Sequence, residues 1–423
     1  MLVLKGKLSA YTVYLIYSGA SSLFLSTIFT VDLVYQVQVA HLNPLQLVLV
    51  GTVLEAVCFL SQVPTGVLAD VFSRRLAVVV GVFLIGVGFI LEGSIPRFGF
   101  ILLAQILWGL GATFTDGAQQ AWITGEVGED HVVPVFTHGT QAGLLGGLLG
   151  AGISVGLASI RLNLPIIAGG GLTVLLAVFL LLFMPEHGFR PAPKEERPSW
   201  REMGNTLRAG IRLVRLRTVL LIILLIELFY GLSSEGIDRL STAHFLADFT
   251  FPALGQLKPV VWFAIFEIVG TLLSLAVTEI IKMRINTNNE RVVIGVLFLM
   301  NALNVVCVLV FALTGNFFLA AAAFLAYGTI RSAGNPIWNT WLTRNIDAKV
   351  RATVFSMVGQ MNALGQVVGG PPVGYIGTVV SLRAALVAVS IILSPVLLLL
   401  AYAARKGKTR PVIVKEMSTT TVP

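Results

Sequence analysis

The sequence predicts an all-α integral membrane protein, with twelve transmembrane helices arranged as two pseudo-symmetric bundles of six. Three observations predict it. The 423-residue chain is 56% hydrophobic and 12% charged, with a mean hydropathy of +0.87; soluble domains carry roughly twice that charged fraction. Apolar runs of about 20 residues, enough to cross a bilayer, recur along the whole chain. The chain also matches itself when shifted by 219 residues. Trp122 then falls on Trp341, Thr124 on Thr343, Val135 on Val354, Phe136 on Phe355, Gln141 on Gln360, Gly146 on Gly365 and Gly150 on Gly369.

Other classes fail on the same observations. A large soluble core would leave too few charges to cover a water-facing surface. Transmembrane strands would alternate apolar and polar residues, and the runs at 172–184 and 384–401 do not. The net charge of +8 invites a nucleic-acid partner, but the basic residues sit in loops between apolar runs, so none is expected. Cys58 and Cys307 each lie inside an apolar run without ligand-type spacing, and read as small packing residues. No nucleophile–base set, phosphate loop or metal cluster is legible, so neither an enzyme nor a cofactor is expected.

The spans fall near 9–38, 45–67, 76–96, 98–123, 137–160, 163–184, 218–240, 258–281, 292–314, 316–341, 352–379 and 382–404. The first follows Lys5 and Lys7 and is too long for a cleaved signal, so it reads as retained. Pro44, Pro165, Pro185 and Pro252 fall in or near gaps, where helix breakers belong. Span 5 carries Gly139, Gly143, Gly146, Gly147, Gly150, Gly152 and Gly156, a pattern for close helix packing.

Basic residues set the orientation. With the N-terminus inside, the outer side holds only Arg97, Arg161, Arg239, Lys258 and Arg383 of the 29 Lys and Arg; Arg331 lies within a span and the rest are inside. This asymmetry predicts both termini cytoplasmic in a plasma (inner) membrane. The expected division is 1–184 as the N-terminal bundle, 185–217 as a cytoplasmic linker, 218–404 as the C-terminal bundle and 405–423 as a basic tail. Within the linker, Ser199-Trp200-Arg201-Glu202 reads as a capping box. It opens either an amphipathic helix, with Trp200, Met203, Leu207, Ile211 and Val214 on one stripe and arginines on another, or an ordinary solvated connection.

Between spans 2 and 3 the sequence at 66–75 is Gly-Val-Leu-Ala-Asp-Val-Phe-Ser-Arg-Arg. It resembles the signature loop of the major facilitator superfamily, roughly G-x-L-A-D-x-x-G-R-R/K, with Ser73 where the family usually has Gly. The resemblance implies two parallel six-helix halves. It also implies that Gly66, Asp70, Arg74 and Arg75 form a conformational latch. Asp70 would meet the start of helix 11, where an anion is favoured by the helix dipole, and hold the outward-open state.

Glu55, Asp116, Glu227, Glu235, Glu267 and Arg331 fall well inside spans. At about 3 kcal/mol each, six facing lipid would cost roughly 18 kcal/mol, beyond a typical folding stability of about 5–15 kcal/mol. They are therefore expected to face the bundle interior or water. Span 7 carries Glu227, Gly231, Ser234, Glu235 and Asp238 on one stripe; span 10 carries Tyr327, Arg331, Asn335 and Asn339; span 4 carries Gln105, Gly109, Asp116 and Gln120; span 1 carries Tyr14, Tyr17, Ser21, Asp32 and Tyr35. By the resemblance, helices 1, 4, 7 and 10 line a central cavity and the third helix of each unit faces lipid.

Arg331 needs an anion, and Asp116, Glu227 and Glu235 are the candidates. A sheltered carboxylate that exchanges access between two sides can carry protons, so these four are expected to serve proton coupling or substrate. Glu55 and Glu267 occupy similar positions in spans 2 and 8 and are either structural or functional. Asp32 and Asp238 lie nearer the outer surface and either line the cavity or are merely solvated at its mouth, with Asp238 and Arg239 as an outer-loop pair; Tyr17, Gln105, Gln120, Tyr327 and Asn335 are expected to line the cavity. Glu92 and Glu279, at span ends, are expected to be interfacial.

Antiporters of the superfamily usually place Arg where this chain has Gln105, and Gly-Pro-x-x-Gly-Gly where it has Gly143-Leu144-Leu145-Gly146-Gly147. The expected function is a monomeric secondary transporter that moves a small amphipathic or cationic molecule by alternating access. Tyr14, Tyr17, Trp108 and Trp338 stand near the acidic cavity. Proton-coupled export is the expected direction. Import of a metabolite by proton symport is the alternative, with a lipid flippase or non-transporting sensor further off.

Overall fold

The computed structural model describes residues 8–189, 218–254, 259–285, 289–346 and 351–406. The proposed amphipathic linker helix and the basic tail after Lys406 lie outside the described residues. The rest is helical: α1 (Ala10–Gln38), α2 (Pro44–Val71), α3 (Arg74–Ser94), α4 (Phe98–Thr115), α5 (Ala118–Val127), α6 (Val132–Ile160), α7 (Leu164–Phe183), α8 (Thr218–Asp248), α9 (Val261–Arg284), α10 (Glu290–Leu313), α11 (Phe317–Arg344), α12 (Arg351–Val379), α13 (Leu382–Leu393) and α14 (Pro395–Lys406).

Eleven stretches of the described chain are long and apolar enough to cross a membrane, with α4–α5 and α13–α14 each counting as one. The 29-residue α12 is long enough too but more polar, carrying Gln360, Asn362 and Gln366. Two predicted spans are thus broken. Span 4 breaks at Asp116-Gly117, where Gly117 takes φ +74°, a conformation that favours glycine. Span 12 breaks at Ser394, because Pro395 has no N–H to continue the ladder.

Short polar residues start the helices. Ser9 accepts from the Thr12 amide at 3.1 Å, Asn43 forms a capping box with Gln46 ahead of Pro44, and Asn316 accepts from the Leu319 amide at 3.1 Å. Ser73 accepts from the Leu76 amide at 2.9 Å. The departure from the signature loop therefore caps α3, as a hydroxyl does well.

The internal repeat has a packing cause. α6 lies along α1, and Gly146 and Gly150 come up against the backbone oxygens of Gly19 and Leu23. α12 lies along α8 in the same way, with Gly365 and Gly369 against the oxygens of Leu228 and Leu232. The matched glycines are the places where two backbones touch.

The buried cores of the two halves merge at one end only. At the end bearing Arg74 and Arg75, here the basic end, each half keeps its own core: one from Val13 to Met184, the other from Leu220 to Ala403. At the opposite end the cores merge, with Leu47, Val48 and Val50 of α2 packed with Ile237 and Leu240 of α8 and Val373 of α12. Gly374 sits against Leu45 and Val48, Gly370 against Thr52, and the Leu45 amide donates to Thr378 Oγ1 at 2.9 Å. At the basic end no buried core cluster spans the two halves among the described residues.

Candidate functional site

A polar cavity of about 210 Å³ lies within the C-terminal half, lined by Glu227, Tyr230, Asn301, Asn304, Tyr327, Arg331, Asn335, Trp338 and Asn362 among others. α8, α10, α11 and α12 supply these groups. Glu227 Oε2 accepts from Asn362 Nδ2 at 2.9 Å, and Tyr230 donates its hydroxyl to Asn301 Oδ1 at 2.8 Å. The expected stripe residues Glu227, Tyr327, Arg331 and Asn335 are thus brought together.

Arg331 does not pair with Asp116, Glu227 or Glu235. Its Nη1 donates to both oxygens of Asp238, at 2.8 and 3.0 Å. This corrects the expected partner and the outer-loop pairing of Asp238 with Arg239. The reason is length: α8 continues to Asp248, so Asp238 and Arg239 ride a helix instead of a loop. Arg239 Nε reaches back one turn to Glu235 Oε2 at 3.4 Å, both largely buried. Glu235 therefore stands apart from the cavity, beside Gly51 of α2.

Asp116 is exposed at the α4–α5 break, not held within a continuous span, and Gln120 is exposed one turn on. Gln105 is fully buried and donates Nε2 to Glu92 Oε2 at 3.0 Å, so it lines no cavity. Asp32 and Glu92, expected at a solvated mouth and an interface, are 2% and 0% exposed. Packing of α1, α3 and α4 seals both from solvent.

Glu55 and Glu267 are not equivalent. Glu55 is half-buried on α2, within electrostatic range of Arg239 and Asp238. Glu267 joins the halves: it accepts from Ser26 at 2.5 Å and from Thr30 at 2.5 Å, both on α1. Cavities of about 620 and 710 Å³ adjoin it, one carrying Tyr17, Ser18 and Ser22, the other Phe263, Phe266 and Phe324. Trp108 stacks in the N-terminal half near Phe29 and Phe89, with centroids 5.0 and 5.3 Å away.

The signature loop is disengaged from the C-terminal half among the described residues. Asp70 Oδ1 pairs with Arg74 at 3.4 Å, with a half-exposed carboxylate, and a side chain at Gly66 would meet nothing. The loop instead holds the start of the linker. Glu186 accepts from Ser73 Oγ at 2.7 Å and from the Arg75 amide at 2.9 Å, and Arg75 Nη2 donates to the Leu181 carbonyl. Trp122 Nε1 donates to the Pro185 carbonyl at 2.6 Å.

Several residues were not singled out from sequence. Asn301 and Asn304 lie on the ninth span, which the expected pattern sent to lipid, yet both are buried and line the cavity. The signal was present, since two amides one turn apart in an apolar run cost too much to face lipid. Asn362 and Glu186 carried no comparable signal. His244, fully buried, has Nδ1 2.7 Å from Asp248 Oδ2 and Nε2 3.1 Å from the Phe311 carbonyl.

Comparison with known proteins agrees with this architecture. Solved structures with 13–15% sequence identity superpose over nearly the whole chain. The nucleoside transporter NupG gives a TM-score of 0.73 over 95% of this chain and 100% of its own. A bacterial homologue of the human lysosomal transporter Spinster, inward-facing and unoccupied, gives 0.72 over 94% and 96%, and a peptide transporter POT gives 0.72 over 96% of each. An uncharacterized MFS-type transporter, YxaM of Bacillus subtilis (strain 168), is 23% identical over 367 residues, covering 84% of this chain and 86% of its own length. The profile described as Major Facilitator Superfamily matches residues 10–370, and the chain belongs to that superfamily of transporters.

Proposed function

We propose that this protein is a proton-coupled secondary transporter that exports a small amphipathic or cationic molecule by alternating access. One observation carries the reading: a sheltered polar cavity, with Glu227 and Arg331 on its wall, in a bundle whose halves are joined at one end and parted at the other. Glu227 supplies a negative charge away from bulk water, and Trp338 and Tyr230 supply aromatic faces that attract cations. Asn301, Asn304, Asn335 and Asn362 add donors and acceptors for a polar group. Glu235, Glu55 and Glu267 serve as further proton or substrate groups at the seam between the halves.

The basic end is cytoplasmic on this reading, both termini lie on that side of a plasma (inner) membrane, and the described state is inward-open. Gly66, Asp70, Arg74 and Arg75 latch the halves when the basic end closes. Residues 1–184 and 218–404 move as two bodies about the 185–217 linker, in a monomer. Symport of a metabolite on the same fold is the nearest rival.

The test is transport by purified protein in liposomes under an imposed pH gradient, against a panel of cationic and neutral compounds. Glu227→Gln and Glu235→Gln abolish gradient-driven movement if they carry the proton. Full retention in both variants, or transport indifferent to pH gradient and membrane potential, overturns the coupling.

A further inference from the structure

Four polar side chains are sealed inside the N-terminal half: Asp32 and Gln36 of α1, Glu92 of α3 and Gln105 of α4. Asp32 is 2% exposed and the other three are 0% exposed. Gln36 Nε2 donates to Asp32 Oδ2 at 3.0 Å and to Glu92 Oε1 at 2.8 Å. One amide therefore bridges two carboxylates, whose oxygens lie no more than about 6 Å apart. Gln105 Nε2 donates to the other oxygen of Glu92. Turning either amide over would set its oxygen against a carboxylate, so their orientations are fixed by electrostatics.

Three acceptors in this cluster have no donor: Asp32 Oδ1, Gln36 Oε1 and Gln105 Oε1. Both amide oxygens sit on the same carbon as the nitrogen that donates into the cluster. The site is thus rich in acceptors and short of donors. Buried acceptors without a partner cost about 1–3 kcal/mol each, and two buried carboxylates without a cation cost more.

The charged neighbour of both carboxylates on another element is Arg239 of α8, from the opposite half. Glu235 and Glu55 face Arg239, and Asp238, which pairs with Arg331, lies near both glutamates. Tyr35 gives its hydroxyl to the Glu92 carbonyl at 2.7 Å, and Glu267 is held by Ser26 and Thr30 further along α1. Arg239 pairs with Glu235 and lies within electrostatic range of the pair across the seam that is closed here, where Gly51 of α2 abuts the Glu235 and Arg239 side chains. Opening that end carries α8 and its guanidinium away.

We propose that Asp32 and Glu92 form a second proton-loading site, separate from the Glu227 cavity, whose charge a proton neutralises and which the Arg239 guanidinium offsets only at longer range. The inference rests on the proton-coupled reading above. With the opposite end open, a proton from the vestibule binds one carboxylate and turns an acceptor into a donor, which the unpartnered Gln36 or Gln105 oxygen can accept. With that end closed, the Arg239 guanidinium, paired with Glu235, lies within electrostatic range of the carboxylates and favours release of the proton to the vestibule. Protonation and opening are then linked: for one proton, the open-to-closed ratio changes by up to about tenfold per pH unit.

The test reads conformation, not transport. Spin labels at Val39 and Val380, both exposed at the opposite end, in a Cys58→Ser, Cys307→Ser background, report the separation of the halves in lipid nanodiscs. Acidification is expected to increase the long-distance population. Asp32→Asn and Glu92→Gln mimic the protonated groups, so each holds that population up at pH 8 and flattens the response. Arg239→Gln does the same, and Arg239→Lys restores the response. Gln105→Leu keeps both carboxylates and shifts the midpoint, which serves if Asp32→Asn does not fold.

Glu227→Gln keeps the distance response while losing driven transport, which separates failure of this site from failure of the cavity's role. An unchanged pH response in Asp32→Asn and Glu92→Gln, no midpoint shift in Gln105→Leu, or a response to sodium at fixed pH without one to protons overturns the inference.

Discussion

The proposed alternating access requires each half to move as a body, and α1 packed on α6 is a main contact within the N-terminal half. A methyl group at Gly146 would run into the carbonyl oxygen of Gly19, with the Leu23 amide nitrogen only 3.1 Å away. Both obstacles are backbone, so no side chain can swing aside and the helices must separate. Overpacking of this kind costs about 1–3 kcal/mol. The next residue is the control, because a methyl group at Gly147 would meet nothing within 4 Å. There the gain from replacing a helical glycine, about 0.5–1 kcal/mol, is left unopposed.

Both variants share that gain, so Gly146→Ala is expected to be less stable than Gly147→Ala by the overpacking cost alone, about 1–3 kcal/mol. Denaturant-driven loss of helical signal in mixed micelles measures the difference. Gly365→Ala, against the Leu228 carbonyl in the other half, should behave like Gly146→Ala. Equal stability of the two adjacent variants would refute the reasoning that backbone contact, not glycine content, sets this packing.

Asp70→Asn should change stability by less than about 1 kcal/mol, because an exposed i,i+4 pair contributes little; a larger loss in thermal melts would mean the carboxylate has a partner in this state. Glu186→Gln weakens two charge-assisted bonds to Ser73 and Arg75, each worth about 1.5–3 kcal/mol with its full charge, and should raise chymotrypsin cleavage after Phe189. A double-mutant cycle on Glu227→Gln and Asn362→Ala should give a coupling of about 1.5–3 kcal/mol from unfolding midpoints, with additivity ruling the contact out. Val48→Cys, buried between the halves, should resist a charged thiol reagent, whereas Asn335→Cys, exposed to the cavity, should react from the basic side. The reverse pattern in right-side-out and inverted vesicles would contradict the direction of opening.

The sequence by itself determined the class, the helices and the repeat, for reasons that act locally. Apolar length measures a bilayer, Ser9, Asn43, Ser73 and Asn316 mark helix starts, and the matched glycines at 146 and 365 mark where backbones touch. It also set a cost of about 3 kcal/mol on either Glu227 or Arg331 facing lipid, since that cost attaches to each residue alone. Tertiary structure decided which charges meet. Arg331 takes Asp238 and not the deeper carboxylates because α8 runs on to Asp248. Glu92 is sealed and not interfacial because α1 and α4 close over it, and Glu267 bridges halves whose members are some 240 residues apart in the chain. Pairing depends on where helices from distant segments cross, and helical periodicity fixes only the face on which a residue lies.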